Sequence, residues 1–408
     1  MKEYGLDYLR GKLAARERRV NLRYEYYEMK NRMRKITALI PPEFLSLTYA
    51  LGWCAKAVDS LADRIVFDGF AHDDFMLGDL YGVNNPDVLF DSAVLSALIS
   101  SCCFLHIGYG DGAYPVIEVI DGKNATGIID QATGLLTEGY AVLSRDDKTG
   151  APISEAYFLP DRTEFYESGE LSDEQAHPAG APLLVPVIFR PDAKRPFGHS
   201  RISRACMDIV QTARRTLLRS EVGAEFYSVP QKYLVGISQK AEFDNRAAAL
   251  SSFLKIPRDN SGSDPTVGAF PQQSMQPHME HMKMLASMFA GETGLTLDDL
   301  GFTTDNPASY DAIRASHESL RLTARKAQRS FGAGFLNAGY LAACLRDDFT
   351  YKRSAFRDVK PRWMPIFEPD GAALGALGDA ILKINQAVPD LIGAEAVRQL
   401  TGLTGDAL

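Results

Sequence analysis

Apolar positions along the chain fall into a few distinct rhythms. Between 49 and 66 (YALGWCAKAVDSLADRIV), Leu51, Cys54, Val58, Leu61 and Ile65 recur at steps of three and four. That spacing predicts an amphipathic helix. Apolar sequence continues from 87 to 106 and is expected to be mostly helical. After His106 the rhythm shortens. YPVIEVIDG, TGIID, TEGYAVLSRD, EAYFLPDRTEFYE and PLLVPVIFR are brief β-rich runs split by DG, NATG, TG and SG. Such punctuation predicts hairpins in a mostly antiparallel sheet. RPDAKRPFGHS reads as a connection.

Helical spacing returns at 200–227, where Ile202, Cys206, Ile209, Ala213, Leu217 and Phe226 form one stripe. Ser200 is the expected N-cap, and Pro230 ends the pattern. The insert 231–272 holds a strand (QKYLVGI), a short helix (AEFDNRAAALSSFLKI) and a polar loop. A helix over 276–290 follows, opened by Pro277. The Gly-flanked segment GETGLTLDDLGFTTDNPAS comes next. From Ser309 a long helical stretch runs to Leu345, about 55 Å if unbroken. Gly332, Gly334 and Gly339 lead one to expect a kink. Two short helices are expected around 371–388 and 393–402. Residues 1–37 read as a charged, aromatic helical arm. It either packs its tyrosines on its own neighbourhood or docks on another subunit.

Charge and composition narrow the function. The chain has 408 residues, 46% apolar and 24% charged, in the globular range. Its formal net charge is −8, against the basic surplus expected of a protein that wraps DNA. Five scattered cysteines make no disulfide framework and read as buried free thiols. The N-terminus shows no apolar signal segment. The run Ala93–Ile107 is shorter than the ~18–20 residues that span a bilayer. A soluble protein made in a cytoplasm is expected.

Chemical motifs are sparse. The sequence has no GxxxxGK[ST], HExxH or GxSxG, and Gly108–Gly112 (GYGDG) reads as a turn. His278 and His281 share a helix face, as an ordinary surface or as two ligands of a metal site that needs more. Met275, Met279, Met282, Met284 and Met288 crowd one helix and suit a packing surface that mates with copies of itself. Glu292, Asp298, Asp299 and Asp305 are either a solvated acidic loop or a carboxylate set for Mg²⁺ or acid–base work.

The run PFGHSRI…EFYSVPQKYLVG resembles the start of the stem and clip in portal (connector) proteins of tailed bacteriophages, best their siphovirus-type branch. In that family an "LG…NP.S..AIRA.E..L" pattern follows the second stem helix. Here it is Leu300, Gly301, Asn306, Pro307, Ser309, Ala312, Ile313, Arg314, Ala315, Glu318 and Leu320. VDSLADRI (Val58–Ile65) is similar to the family's N-terminal wing segment. The resemblance covers roughly residues 20–350, in order.

It implies an α+β portal fold with a mixed helix and antiparallel-sheet wing, two stem helices, an inserted α/β clip, a tunnel loop, a long kinked wing helix and a short helical crown. The boundaries it implies are wing 1–199, first stem helix 200–228, clip 229–273, second stem helix 274–291, tunnel loop 292–308, long wing helix 309–346 and C-terminal wing or crown 347–408. The implied function is a ring of twelve copies at one capsid vertex, without catalysis, cofactor or metal. Double-stranded DNA passes through it in packaging and ejection. The implied partners are other copies, the terminase large subunit, a head–tail adaptor, the major capsid protein and scaffold, with no membrane. The implied location is the virion, with assembly in the bacterial host cytoplasm. Thr296, Leu297, Asp298, Asp299, Leu300, Thr303, Thr304, Asp305 and Asn306 would line the channel. Lys232, Tyr233, Lys240, Asp244, Lys255 and Arg258 would carry the docking clip. Four acids and no base over 292–305 would make about 48 negative charges in twelve copies, a field that favours transit over grip. The alternatives are a domesticated prophage or gene-transfer-particle connector, and a soluble metal-dependent enzyme using 292–305.

Overall fold

The computed structural model describes residues 4–33, 49–110, 112–228, 232–235, 266–269, 274–302, 310–367 and 371–401. Two compact units divide the chain. One holds Met1–Asn31, Gly52–Met207 and Glu292–Leu408; the other holds Arg32–Leu51 and Asp208–Gly291.

The first unit is α+β. Its N-terminal helix α1 (Leu6–Tyr27) buries Leu9, Leu13, Val20 and Tyr26. Leu9 and Leu13 join Tyr140, Val142, Tyr157 and Leu159 in one cluster. This segment of the arm thus packs on its own neighbourhood. Its cations reach inward as well: Lys12 Nζ donates to Gly127 O at 2.6 Å and Arg23 Nη1 to Ser100 O at 3.1 Å. Burial pushes the Arg23 guanidinium down to about 10.

Helix α2 (Trp53–Ala62), strand β1 (Phe67–Ala71) and helices α3 (Leu77–Gly82) and α4 (Pro86–Ser100) follow. The expected helical run 87–106 is corrected here. Ser101 takes a positive φ of 87°, ending α4, and the chain continues as strand β2 (Cys102–Gly108). From Ala93 to Leu105 every residue is buried or half-buried, in the helix and the strand alike, so hydrophobicity hides the change of period.

Strands β3 (Val116–Ile120) and β9 (Leu184–Ile188) flank β2 in an antiparallel sheet of order β3-β2-β9. Between them in sequence lie β4 (Ala125–Ile129), β5 (Leu136–Arg145), β6 (Pro152–Phe158), β7 (Arg162–Glu167) and β8 (Glu170–Ala176). These form a five-stranded antiparallel meander in chain order. All of β8 is exposed. That explains why no alternation announced it: nothing on either face is buried.

The second unit contains most of helices α5 (Arg204–Ser228) and α6 (Gln276–Thr293). Strands β10 (Lys232–Val235) and β11 (Thr266–Ala269) pair antiparallel, Lys232 opposite Ala269. The Thr216 hydroxyl lies 3.0 Å from His281 Nδ1, tying α5 to α6. The expected cap of α5 moves by three residues. Ser203, not Ser200, accepts the Cys206 N–H at 3.2 Å; the Ser200 hydroxyl donates instead to Ile99 O at 2.6 Å. Ser203→Ala is expected to lower stability by about 1 kcal/mol, measured by urea unfolding.

Back in the first unit, the chain after 309 forms helices α7 (Tyr310–Ser316) and α8 (Glu318–Arg346). The kink expected at the glycines is a break at His317, and α8 runs unbroken for 29 residues. The glycines are notches instead. A Cβ on Gly332 would sit 3.0 Å from Pro361, one on Gly334 3.2 Å from Pro186 O, and one on Gly339 2.9 Å from Leu77. Their absence lets α8 lie close on β9, on α3 and on strand β12 (Lys360–Trp363), which pairs with β1. Phe67 stands in this core, its ring 4.3 Å from Phe90, 5.2 Å from Phe335 and 5.1 Å from Trp363. Helices α9 (Gly371–Ala387) and α10 (Ala394–Thr401) match the two short helices expected there. No helix among the described residues is long and apolar enough to cross a membrane.

Candidate functional site

The segment that links α6 to the break at His317 is built as a fixed turn. Gly294, at φ +70°, stops α6. Arg201 is buried beneath it and donates to Thr293 O and, at 3.2 Å, to Ala57 O. It thus satisfies carbonyls that helix ends leave orphaned. Burial pushes its guanidinium down to about 10. Glu292 accepts from the Ser203 hydroxyl at 2.8 Å.

Thr296 and Asp299 then form a reciprocal cap around the 3-10 turn Asp298–Leu300. Asp299 Oδ2 accepts from Thr296 N at 2.8 Å and from its hydroxyl at 2.9 Å, while Asp299 N donates back to Thr296 Oγ1 at 3.2 Å. This is a capping box with Asp in the place of Glu. Gly301, at φ +87°, ends the turn.

His317 closes the network from the far side. Its Nε2 lies 3.1 Å from Asp299 Oδ2 and its Nδ1 2.9 Å from Ile313 O. Phe367 packs against the His317 ring, under the guanidiniums of Arg64 and Arg314. Burial works to raise the Asp299 carboxyl, but the two Thr296 bonds and the His317 charge outweigh it and hold it below the usual range.

The channel residues named from the sequence therefore separate. Asp298 is exposed. Asp299 is turned into its own fold, with 19% of its side chain exposed, and Leu300 is buried. Leu297 and Thr296 are half-buried. Thr303, Thr304, Asp305 and Asn306 lie outside the described residues. Of the clip set, Lys232 and Tyr233 open strand β10; Lys240, Asp244, Lys255 and Arg258 lie outside the described residues. Arg201, Ser203 and His317, which fix the turn, were missed. An isolated Arg, Ser or His carries no local pattern that reports its partner, about 90 residues away for Arg201 and Ser203 and 18 for His317.

Among the described residues, no three His, Cys, Asp or Glu side chains are grouped to hold a metal ion. All five cysteines are buried free thiols, and burial raises Cys54 and Cys103 well above the ordinary thiol value.

No family model matches the chain. It is 24% identical over 402 residues to the portal protein of Mycobacterium phage D29, covering 92% of this chain and 81% of that one. It is likewise 24% identical over 338 residues to the portal protein of Mycobacterium phage L5, covering 78% of this chain and 69% of that one. The chain resembles phage portal proteins. Among solved structures, a chain from the virion of a native gene transfer agent particle shares 16% identity with it. That likeness covers 94% of this chain and 99% of that one, at a TM-score of 0.48. A chain from the neck of the empty gene transfer agent particle gives 16%, 93% and 98%, at 0.49. The alignment with the D29 portal protein spans most of the chain.

Proposed function

We propose that the chain is a portal subunit. Twelve copies form a ring at one vertex of a phage capsid, and double-stranded DNA enters and leaves through its centre without any catalysis by the ring. The observation that carries this reading is the sequence likeness to two phage portal proteins over most of the chain. α5 and α6 act as the stem, and the residues between them, including the paired strands β10 and β11, dock the terminase during packaging and the head–tail adaptor afterwards. The turn at 296–301 faces the channel with Asp298. Met279, Met284 and Met288, each more than half exposed on α6, give adaptable apolar surface for contact between copies.

The acidic balance of the chain suits a conduit that DNA must leave as readily as it enters. With Asp299 engaged by Thr296 and His317, Asp298 is the acid of the turn 296–301 that stands exposed. Negative-stain electron microscopy of the purified full-length protein tests the reading. Rings with an open centre and about twelve-fold symmetry are expected. Compact monomers or dimers, also when co-expressed with a capsid protein and scaffold, would sink it.

A further inference from the structure

A second charged surface lies on α8. With the 3-10 turn Arg353–Arg357 and β12, this helix encloses a cleft of about 650 Å³. Arg325, Arg329, Arg353, Arg357 and Lys360 stand around it, and no acid lines it. Leu336, Phe356 and Trp363 give it an apolar floor. Three of the cations have local partners. Arg353 Nε donates to Asn337 Oδ1 at 2.8 Å, Arg357 Nε pairs with Asp358 at 3.2 Å, and Lys360 Nζ donates to Arg357 O at 2.6 Å. Arg325 and Arg329, exposed and one turn apart on α8, make no hydrogen bond or salt bridge among the described residues. In a chain of net charge −8, such a cleft is a strong local reversal.

Strand β8 has the complementary character. It ends the five-stranded sheet, so its outer edge pairs with no strand among the described residues, and every one of its residues is exposed. Leu171, 55% exposed, sits among Glu170, Asp173 and Glu174. Across the hairpin, Glu170 faces Glu167 and Glu174 faces Glu164. Like charges set opposite each other destabilise a strand pair. Arg162 offsets one of the two, at 2.9 Å from Glu164 and 3.7 Å from Glu174. Ser172 is an extra residue in the register, a bulge that bends the edge.

We propose that the β8 edge of one copy seats in the α8 cleft of the next. Leu171 covers the apolar floor, and Glu170 and Asp173 meet Arg325 and Arg329. An apolar side chain flanked by acids fills both floor and rim. A DNA duplex offers phosphates to the rim but nothing to the floor, which is why a protein segment fits better. Each copy carries one half of the contact on α8 and the other on β8. The contact is therefore head-to-tail and closes into a ring when the rotation closes. This inference rests on the ring reading above and names one of its interfaces.

Two full-length variants test it by sedimentation velocity, R325E/R329E and E170K/D173K. The wild type is expected to sediment as a ring, and each variant alone to need at least ten-fold more protein to assemble. An equimolar mixture of the two is expected to regain assembly. Reversed cleft then meets reversed strand, and native cleft meets native strand, in an alternating ring of even number. Wild-type rings with both variants assembling normally would overturn this interface and leave the ring reading standing. Two defective variants that fail to rescue each other would overturn the pairing. A wild type that stays monomeric, also when co-expressed with a capsid protein and scaffold, would take down both. A cleft variant that assembles normally but loses affinity for a fluorescent DNA duplex would assign the cleft to DNA instead.

Discussion

Arg10→Ala is expected to cost about 3 kcal/mol of unfolding free energy. Glu155, on β6, is 5% exposed beneath α1. Arg10 grips it with a fork, Nε to Oε1 at 3.1 Å and Nη2 to Oε2 at 2.7 Å, and the Tyr140 hydroxyl adds a third donor. Removing the guanidinium strands a carboxylate in the core. The expected loss lies at the low end for a broken buried pair, because Arg10 itself keeps 32% of its side chain exposed. In the wild type, burial tends to raise the Glu155 carboxyl, but the bonds from Arg10 and Tyr140 outweigh it and hold it below its ordinary value. Its contribution is therefore present above the unfolded value of about 4.3. It disappears as pH falls through the lower folded value. Without Arg10, burial dominates, the carboxyl is raised, and the sign reverses: stability falls as pH rises past about 4.3. Urea unfolding of both proteins at pH 4 and pH 7 reads the effect, with the larger difference expected at pH 7. A loss below about 0.5 kcal/mol at pH 7, the scale of ordinary surface changes, would show that Arg10 and Glu155 do not act as a buried pair. Arg10→Leu with Glu155→Leu should recover much of the loss, since a buried ion pair is readily replaced by apolar packing.

That pair shows what the sequence could and could not announce. The antiparallel hairpins from 116 to 188 were legible because every strand but β8 alternates or runs apolar between turn residues. Helices α2 and α5 were legible from the spacing of their apolar positions. What failed failed for particular reasons. β8 buries nothing, so it has no pattern to read. The second half of α4 and nearly all of β2 are core, so hydrophobicity did not show their join at Ser101. Glycines in α8 looked like weak points, although three of them are contacts for Pro361, Pro186 and Leu77. In each case the deciding fact is tertiary: which surface the residue meets, not which residues flank it.

The candidate site was legible to the same degree. The resemblance located the turn, but charge alone made Asp298 and Asp299 equivalent. The fold separates them, because Thr296 stands three residues before Asp299 and His317 closes on it from another helix. A neighbouring pair of identical side chains thus has one member that holds the turn and one that faces water. Replacing both together would confuse a loss of structure with a loss of field.

Asp298→Lys alone is the cleaner experiment, and it carries the largest expected functional effect. On the proposed ring of twelve, it reverses the exposed charge of the turn in every copy, a swing of about 24 charges around one axis. A duplex moving past meets cations that hold its phosphates in place of anions that repel them. DNA passage is expected to slow on the order of ten-fold, the low end of what a focused field does to a charged partner. Ring assembly should be unchanged, because the Asp298 side chain makes none of the bonds that fix the turn. Salt supplies the internal check. Screening shortens the reach of the charges to ~8 Å at physiological ionic strength and ~3 Å at 1 M, so the defect should shrink as salt rises. Asp298→Asn, which removes charge without reversing it, should give an intermediate rate. DNA packaged per particle over time, measured for particles built with each full-length variant, reads the series. Equal rates for wild-type, Asp298→Asn and Asp298→Lys rings of normal symmetry would mean that this turn does not meet the DNA.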